Sequence, residues 1–205
     1  MIRRSVFVYV AVVVLLFSGI LLPEILGATR QDYSSFANYL SELGATGTST
    51  QHLTNTLAFP MVGISCILIM IALWHRLPKL TGLRAGLICL GLGLPAGYFG
   101  AAIFPCDYGC PIEGSINQSV HNLLGLVQYP LGVIGFALLS VNLKSKPMWR
   151  MLCAIAAAAM AIGFVMMLVP DQADFRGACQ RLSDYPAFLV LCYIVLSSQP
   201  KRKTS

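Results

Sequence analysis

Residues 82–104 read GLRAGLICLGLGLPAGYFGAAIF, a long apolar run with one charged residue, Arg84. A helix needs about 20 mostly apolar residues to cross the hydrocarbon core of a bilayer. Lipid offers no hydrogen-bond partners to exposed backbone groups, so only helices and closed barrels span it. The run is too long and too uniformly apolar for a barrel strand. This stretch therefore predicts a transmembrane helix.

Similar runs cover most of the chain, which is 57% hydrophobic and only 11% charged. A soluble domain carries roughly 25% charged residues. The first run is long for a signal peptide, so we favour a retained helix over a cleaved leader. We predict an all-α fold, a single integral membrane domain over residues 1–205 with six transmembrane helices. The predicted spans are about 5–27, 53–75, 82–104, 117–142, 149–169 and 178–198.

Charge is distributed unequally between the two sides of such a bundle. One side carries no acidic residue and the basic residues Arg3, Arg4, Arg76, Lys79, Arg84, Lys144, Lys146, Arg150, Lys201, Arg202 and Lys203. The other side carries all eight acidic residues and only Arg30, Arg176 and Arg181. By the positive-inside rule, both termini are expected in the cytoplasm, and the membrane is expected to be the inner (plasma) membrane.

The charge distribution also indicates which classes of partner the protein can bind. The basic residues are scattered over short segments and form no folded basic face, so we expect no nucleic-acid partner. Membrane lipid is the expected partner. Small residues recur along the third helix at Gly82, Gly86, Gly93, Gly97 and Ala101. Such a stripe lets helix backbones approach closely; packing within the bundle is the favoured explanation and a homo-oligomer the alternative.

The segment FPCDYGCP, residues 104–111, connects the third and fourth predicted helices. On the extracytoplasmic side, where the charge distribution places it, disulfides form and persist. Cys106, Cys110 and Cys179 lie outside the spans and cannot all pair within one chain. Either Cys106 bonds Cys110, or Cys179 joins the connection between the fifth and sixth helices to this segment. We expect a rigid lid held by a disulfide.

Polar residues within spans are expensive and often mark a site. Here they gather at the outer ends of several helices, which predicts an outward-facing polar pocket. In the fourth helix, Asn117, His121 and Gln128 are spaced to share one face. Arg181 and Asp184 are three residues apart, so they can pair. The predicted pocket residues are Glu24, Glu42, His52, Asn55, Asn117, His121, Gln128, Arg181, Asp184 and Tyr185.

Three classes of function remain open from these residues. The first is a protein that binds a lipid headgroup or small amphiphile in the outer pocket. The second is a membrane enzyme in which His121 and Asp107 form an acid/base pair, since Asp107 precedes the fourth helix and can orient a histidine proton. The third is a structural or sensory subunit. We expect no metal site and no cofactor; zinc or haem held by His52 and His121 is the alternative.

The order of motifs resembles domain-of-unknown-function family 998, multi-helix membrane proteins of bacteria and archaea. The resemblance is carried by SELGA at 41–45, Asn55, Gly63, FPCDYGCP, His121, and Gln180 followed by Arg181. It implies a multi-helix membrane fold and no particular reaction. A fainter similarity, S-E-L-G after the first helix and a histidine in the fourth, is to the Frag1/DRAM/Sfk1 six-helix proteins, which are linked to membrane lipid handling.

Overall fold

The computed structural model describes residues 2–169 and 174–198, and six long helices contain most of them. The helices are α1 (residues 2–28), α2 (Gln51–Arg76), α3 (Thr81–Ile103), α4 (Ile116–Asn142), α5 (Pro147–Met167) and α6 (Arg176–Ser197). All six predicted runs are thus helical, and the predicted all-α fold is confirmed. Asp171, Lys201, Arg202 and Lys203 lie outside the described residues.

Among the described helices, α1 to α5 are each long and apolar enough to cross a membrane. Helix α6 has a comparable length, but Arg181 and Asp184 lie in its first half. The chain is therefore a multi-pass membrane protein with at least five candidate spans. A sixth span through α6 stays a prediction.

The helices pack in the order of the chain and close into a ring. Each helix contacts the next one in sequence, and α6 contacts both α1 and α2. The connections 77–80 and 143–146 are short, so the helices they join are neighbours in space. We call the end with these connections the basic end, and the end with residues 29–50 and 104–115 the disulfide end.

The glycine stripe of α3 packs against α4. A Cβ atom on Gly86 would lie 2.9 Å from the carbonyl oxygen of Gly135, and one on Gly93 would lie 3.1 Å from that of Gln128. Side chains at these positions would therefore push the two backbones apart. The stripe serves packing within the bundle, as expected. A homo-oligomer stays a prediction.

The segment between α1 and α2 folds back over the disulfide end. It contains a 3₁₀-helix, Leu40–Gly44. Glu42 accepts a hydrogen bond from the backbone N–H of Tyr39 at 2.9 Å and so closes this turn. The hydroxyls of Thr50 and Thr54 both donate to the carbonyl of Leu43, which fixes the turn against the start of α2.

Candidate functional site

A disulfide joins Cys106 to Cys110 in the connection between α3 and α4, residues 104–115, which we call the lid. This confirms the first of the two predicted pairings, and Cys179 is a free, buried thiol. The backbone N–H of Thr46 donates to the carbonyl of Cys106 at 2.9 Å. The Tyr108 hydroxyl donates to Asp32 at 2.8 Å. The lid is thus attached to the segment before α2 at two points.

Two carboxylates, Asp107 in the lid and Asp32 in the segment before α2, accept hydrogen bonds from nearby residues. Asp107 accepts hydrogen bonds from the backbone N–H and the hydroxyl of Ser115, at 2.7 and 2.8 Å, and these bonds lower the pKa of Asp107. Asp32 accepts from the guanidinium of Arg30 at 2.6 and 3.1 Å, and this contact, followed by the Tyr108 hydroxyl, lowers the pKa of Asp32. Both groups therefore stabilise the loops as carboxylates.

The predicted acid/base pair of His121 and Asp107 does not form. His121 shares a hydrogen bond of 3.0 Å between its Nδ1 and the carbonyl oxygen of Phe104. Asp107 is turned to Ser115 instead, because the start of α4 offers it a backbone N–H and a hydroxyl together. His121 is therefore an imidazole bonded to a loop carbonyl. The hypothesis of a membrane enzyme therefore loses the contact between His121 and Asp107 on which it depends.

Under the lid lies a cavity of about 370 Å³. It is bounded by the five helices α2 to α6, by the lid, and by Tyr39 and the 3₁₀-helix that follows it. The residues that line it are Tyr39, Leu40, Ser41, Phe59, Gly97, Tyr98, Ala101, Cys110, Pro111, Ile112, His121, Asn122, Gly125, Leu126, Gln128, Tyr129, Phe164, Met167, Leu168, Gln180 and Asp184. This size is within the range of small-molecule binding sites, roughly 300–1,000 Å³.

The inner part of the cavity is polar and centred on Asp184. This residue lies about 12 Å along α6 from the start of the helix. Its side chain is almost fully buried. One carboxylate oxygen accepts from the hydroxyl of Tyr98 at 3.0 Å, and the other from Nε2 of Gln128 at 3.4 Å. Three helices therefore contribute to one hydrogen-bonded group in the interior of the bundle.

Glycine at position 97 makes this arrangement possible. An ideal Cβ on Gly97 would collide with Oε1 of Gln128, so the Gln128 amide occupies the place of a side chain on α3. Any larger residue there would displace the amide that donates to Asp184. The glycine stripe of α3 thus serves both helix packing and the cavity.

The remaining polar groups form a second layer nearer the lid. Nε2 of Gln180 donates to the hydroxyl of Tyr129 at 3.1 Å, and Oε1 of Gln180 accepts from the backbone N–H of Ser41 at 3.4 Å. The Tyr129 ring stacks on Phe164 with a centroid separation of 5.3 Å. These contacts join α4, α5, α6 and the 3₁₀-helix around the cavity and leave its walls largely aromatic.

Of the ten predicted pocket residues, His121, Gln128 and Asp184 line the cavity. The structure corrects the rest of the prediction. Asn117 and His52 are exposed at the disulfide end. Asn55 donates to the carbonyl of Gly44 at 2.8 Å, and Glu42 belongs to the 3₁₀-helix. Asn55 thus holds the loop on α2, and none of these four residues borders the cavity.

Arg181 does not pair with Asp184, although their spacing allows it. Its Nε donates to Oε1 of Glu24 on α1 at 2.7 Å, and its Nη2 donates to the hydroxyl of Tyr33 at 2.9 Å. The hydroxyl of Tyr185 also bonds to Glu24. Glu24, Arg181 and Tyr185, predicted as pocket residues, therefore form a clasp between α1 and α6. Arg181 and Tyr185 border a separate, open depression and not the cavity.

Several residues of the cavity were not predicted, notably Tyr98, Tyr129, Asn122 and Gln180. Gln180 lies four residues before Asp184, which places both on one face of α6. Tyr98 and Tyr129 are hydroxyl-bearing residues inside apolar spans. A buried tyrosine hydroxyl normally has a hydrogen-bond partner. These two tyrosines could therefore have predicted that the interior of the bundle contains polar groups.

The contacts of His121 also bear on the metal alternative. His121 lies close to Cys106 and Cys110, with possible ligand atoms within 4.8 Å of one another. Those sulfurs form a disulfide, and a metal ion needs thiolates. In the described part of the chain, His52 belongs to no such group with His121. The disulfide thus removes both cysteines from that group as ligands, and the expectation of no metal and no cofactor stays a prediction, as does its zinc or haem alternative.

A sequence model of the family described as "Protein of unknown function (DUF998)" matches residues 10–197, which is almost the whole chain. The chain belongs to the DUF998 family. It matches no curated protein and no solved structure. The motifs that carry the resemblance to DUF998 now have positions in the fold: SELGA forms the 3₁₀-helix, FPCDYGCP forms the lid, and Gln180 borders the cavity. This member of DUF998 is an integral membrane protein of unknown function.

Proposed function

We propose that this protein binds a lipid headgroup or a small amphiphile in the cavity under the lid. The observation that carries the proposal is the division of the cavity into a polar inner part around Asp184 and mostly apolar walls. An amphiphile has the same division: its polar group needs hydrogen-bond partners and its chain needs apolar contacts. Polar groups inside a membrane bundle are costly, and they usually mark a site, a pathway or a packing contact.

The cavity also reaches the side of the bundle that lipid would cover. Leu126 on α4 and Leu168 after α5 line the cavity, yet their side chains are 49% and 58% exposed. A Cβ on Gly125, which also lines the cavity, would have no neighbour within 4 Å, so the space beside this residue of α4 is open. A molecule in the bilayer can therefore enter sideways between α4 and α5 with its chain still in lipid.

Native mass spectrometry of protein extracted in a neutral detergent tests this proposal. We expect a population of molecules that retain one lipid or amphiphile after the detergent is removed in the gas phase. Protein in a nonionic amphipol should also bind dodecyl amphiphiles in a saturable manner. Molecules that carry no ligand, together with no saturable binding of dodecylamine, dodecanol or dodecanoate, would contradict the proposal.

The proposed topology places the disulfide end of the bundle outside the cytoplasm, with both termini in the cytoplasm and α6 as a sixth span of the inner (plasma) membrane. The unequal charge of the two ends supports it. A disulfide is also more persistent outside the cytoplasm.

Two matched serine-to-cysteine variants test the topology. Ser49 and Ser145 are exposed at the disulfide end and the basic end. An impermeant maleimide should label Ser49→Cys on intact cells, whereas Ser145→Cys should react only after lysis. The reverse pattern would invert the topology, and equal labelling of both variants on intact cells would contradict the three spans, α2 to α4, between the two sites.

A further inference from the structure

Asp184 is the only charged side chain that lines the cavity among the described residues. Its exposed fraction is 1%, so water does not solvate it freely. Tyr98 and Gln128 each donate one hydrogen bond to it, and both donors are neutral. These two hydrogen bonds hold the carboxylate in place, but neither donor carries a positive charge that would balance its negative charge.

The nearest basic side chain on the same helix is occupied elsewhere. Arg181 bonds to Glu24 and to the hydroxyl of Tyr33, and its Nη1 donates to backbone carbonyls of Asn38 and Gly177. At the mouth of the cavity, His121 is bonded to the carbonyl of Phe104. The described side chains thus surround Asp184 with hydroxyls, amides and aromatic rings and bring no arginine or lysine into contact with it.

Aromatic residues complete the environment that a cation would meet. Tyr98 lines the inner part of the cavity, Tyr129 lines the layer nearer the lid, and Phe59 and Phe164 line its walls. The faces of such rings attract ammonium groups. An anionic headgroup would meet the same carboxylate at short range, where like charges repel strongly because the dielectric constant is low.

We propose that the cavity selects amphiphiles with a cationic, ammonium-type head, which lies against Asp184 while the chain extends between α4 and α5 towards the lipid. This inference rests on the proposed function and specifies the class of ligand. A bound ammonium group would bring a cation into contact with the carboxylate, which no described lysine or arginine side chain does. The hydroxyl of Tyr98 and the amide of Gln128 would orient the carboxylate towards it.

Three probes that differ only in the head group test this inference: dodecylamine, dodecanol and dodecanoate. They are measured by equilibrium dialysis against the protein in a nonionic amphipol at neutral pH, where the amine is an ammonium ion. We expect the wild-type protein to bind dodecylamine at least about tenfold more tightly than dodecanol, and dodecanoate least of all. Asp184→Asn should abolish the preference for dodecylamine while the affinity for dodecanol is retained.

Asp174→Asn is the matched control, because it removes the same charge from an exposed residue outside the cavity and should keep the wild-type preference. Equal affinity for the three probes, tighter binding of dodecanoate, or an unchanged preference in Asp184→Asn would overturn the inference and leave amphiphile binding intact. If none of the probes binds, the proposed function fails as well. If Asp184→Asn does not fold, the comparison of the three probes on wild-type protein still decides the matter.

Discussion

Arg181→Met is expected to lower the free energy of unfolding by roughly 3 kcal/mol, since removal of one partner of a buried ion pair leaves the other charge uncompensated. Arg181 is 11% exposed in its side chain, and its partner Glu24 is 37% exposed. Partial access to solvent places the loss at the lower end of the range for buried pairs. Glu24 would lose its nearest cation, and Tyr33 would lose a donor of a hydrogen bond at 2.9 Å.

Reversible unfolding in mixed micelles measures this loss. The double variant Glu24→Gln with Arg181→Met should recover part of the stability, because a neutral amide costs less to bury than an unpaired carboxylate. Arg84→Met is the control, since Arg84 donates to the backbone carbonyl of Trp74 and pairs with no carboxylate in the described part of the chain. An equal loss in Arg181→Met and Arg84→Met would show that the clasp contributes nothing specific.

The clasp illustrates which part of the fold the sequence could predict. The six apolar runs and the positions of the basic residues predicted the helices, because burial in lipid requires runs of fixed length. The partner of Arg181 was not predictable from spacing. Asp184 is three residues away, but Glu24 is separated by 157 positions, and only the packing of α1 on α6 brings it close.

The face of α4 that borders the cavity was assigned almost correctly from its polar residues. Asn117, His121 and Gln128 predicted the face, yet Asn117 is exposed while Gln118 is fully buried. Gln118 accepts from the backbone N–H of Asp107 at 2.8 Å. An error of one residue rotates a helical face by about 100°. The contact of Gln118 with the lid fixes the rotation of α4, and the path of the lid could not be predicted from the periodicity of α4.

The cavity itself depends on residues that the sequence presents as packing positions. Gly97 belongs to a stripe of small residues, and nothing in its spacing separates it from Gly86 or Gly93. The distinction is made by what lies opposite: a backbone carbonyl for Gly86 and the amide of Gln128 for Gly97. The polar contacts of Asp184 follow from this difference.

Gly125→Leu is expected to abolish amphiphile binding, with a fall in affinity of at least about tenfold, because the new side chain fills the cavity from the wall of α4. Gly125 lines the cavity, and an ideal Cβ there has no neighbour within 4 Å, so the substitution needs no movement of the backbone. Its effect on stability should be small or favourable, since glycine inside a helix costs about 1 kcal/mol relative to better helix formers.

Gly91→Leu is the matched control for Gly125→Leu. It lies within α3, outside the residues that line the cavity, and a Cβ on it would meet the side chain of Met70 at 3.5 Å, an ordinary contact. It should therefore bind dodecyl probes and retain lipid like the wild type. Native mass spectrometry and equilibrium dialysis compare the two variants directly. Wild-type retention of ligand by Gly125→Leu would place the amphiphile outside the cavity and would remove the reason for assigning Asp184 to its recognition.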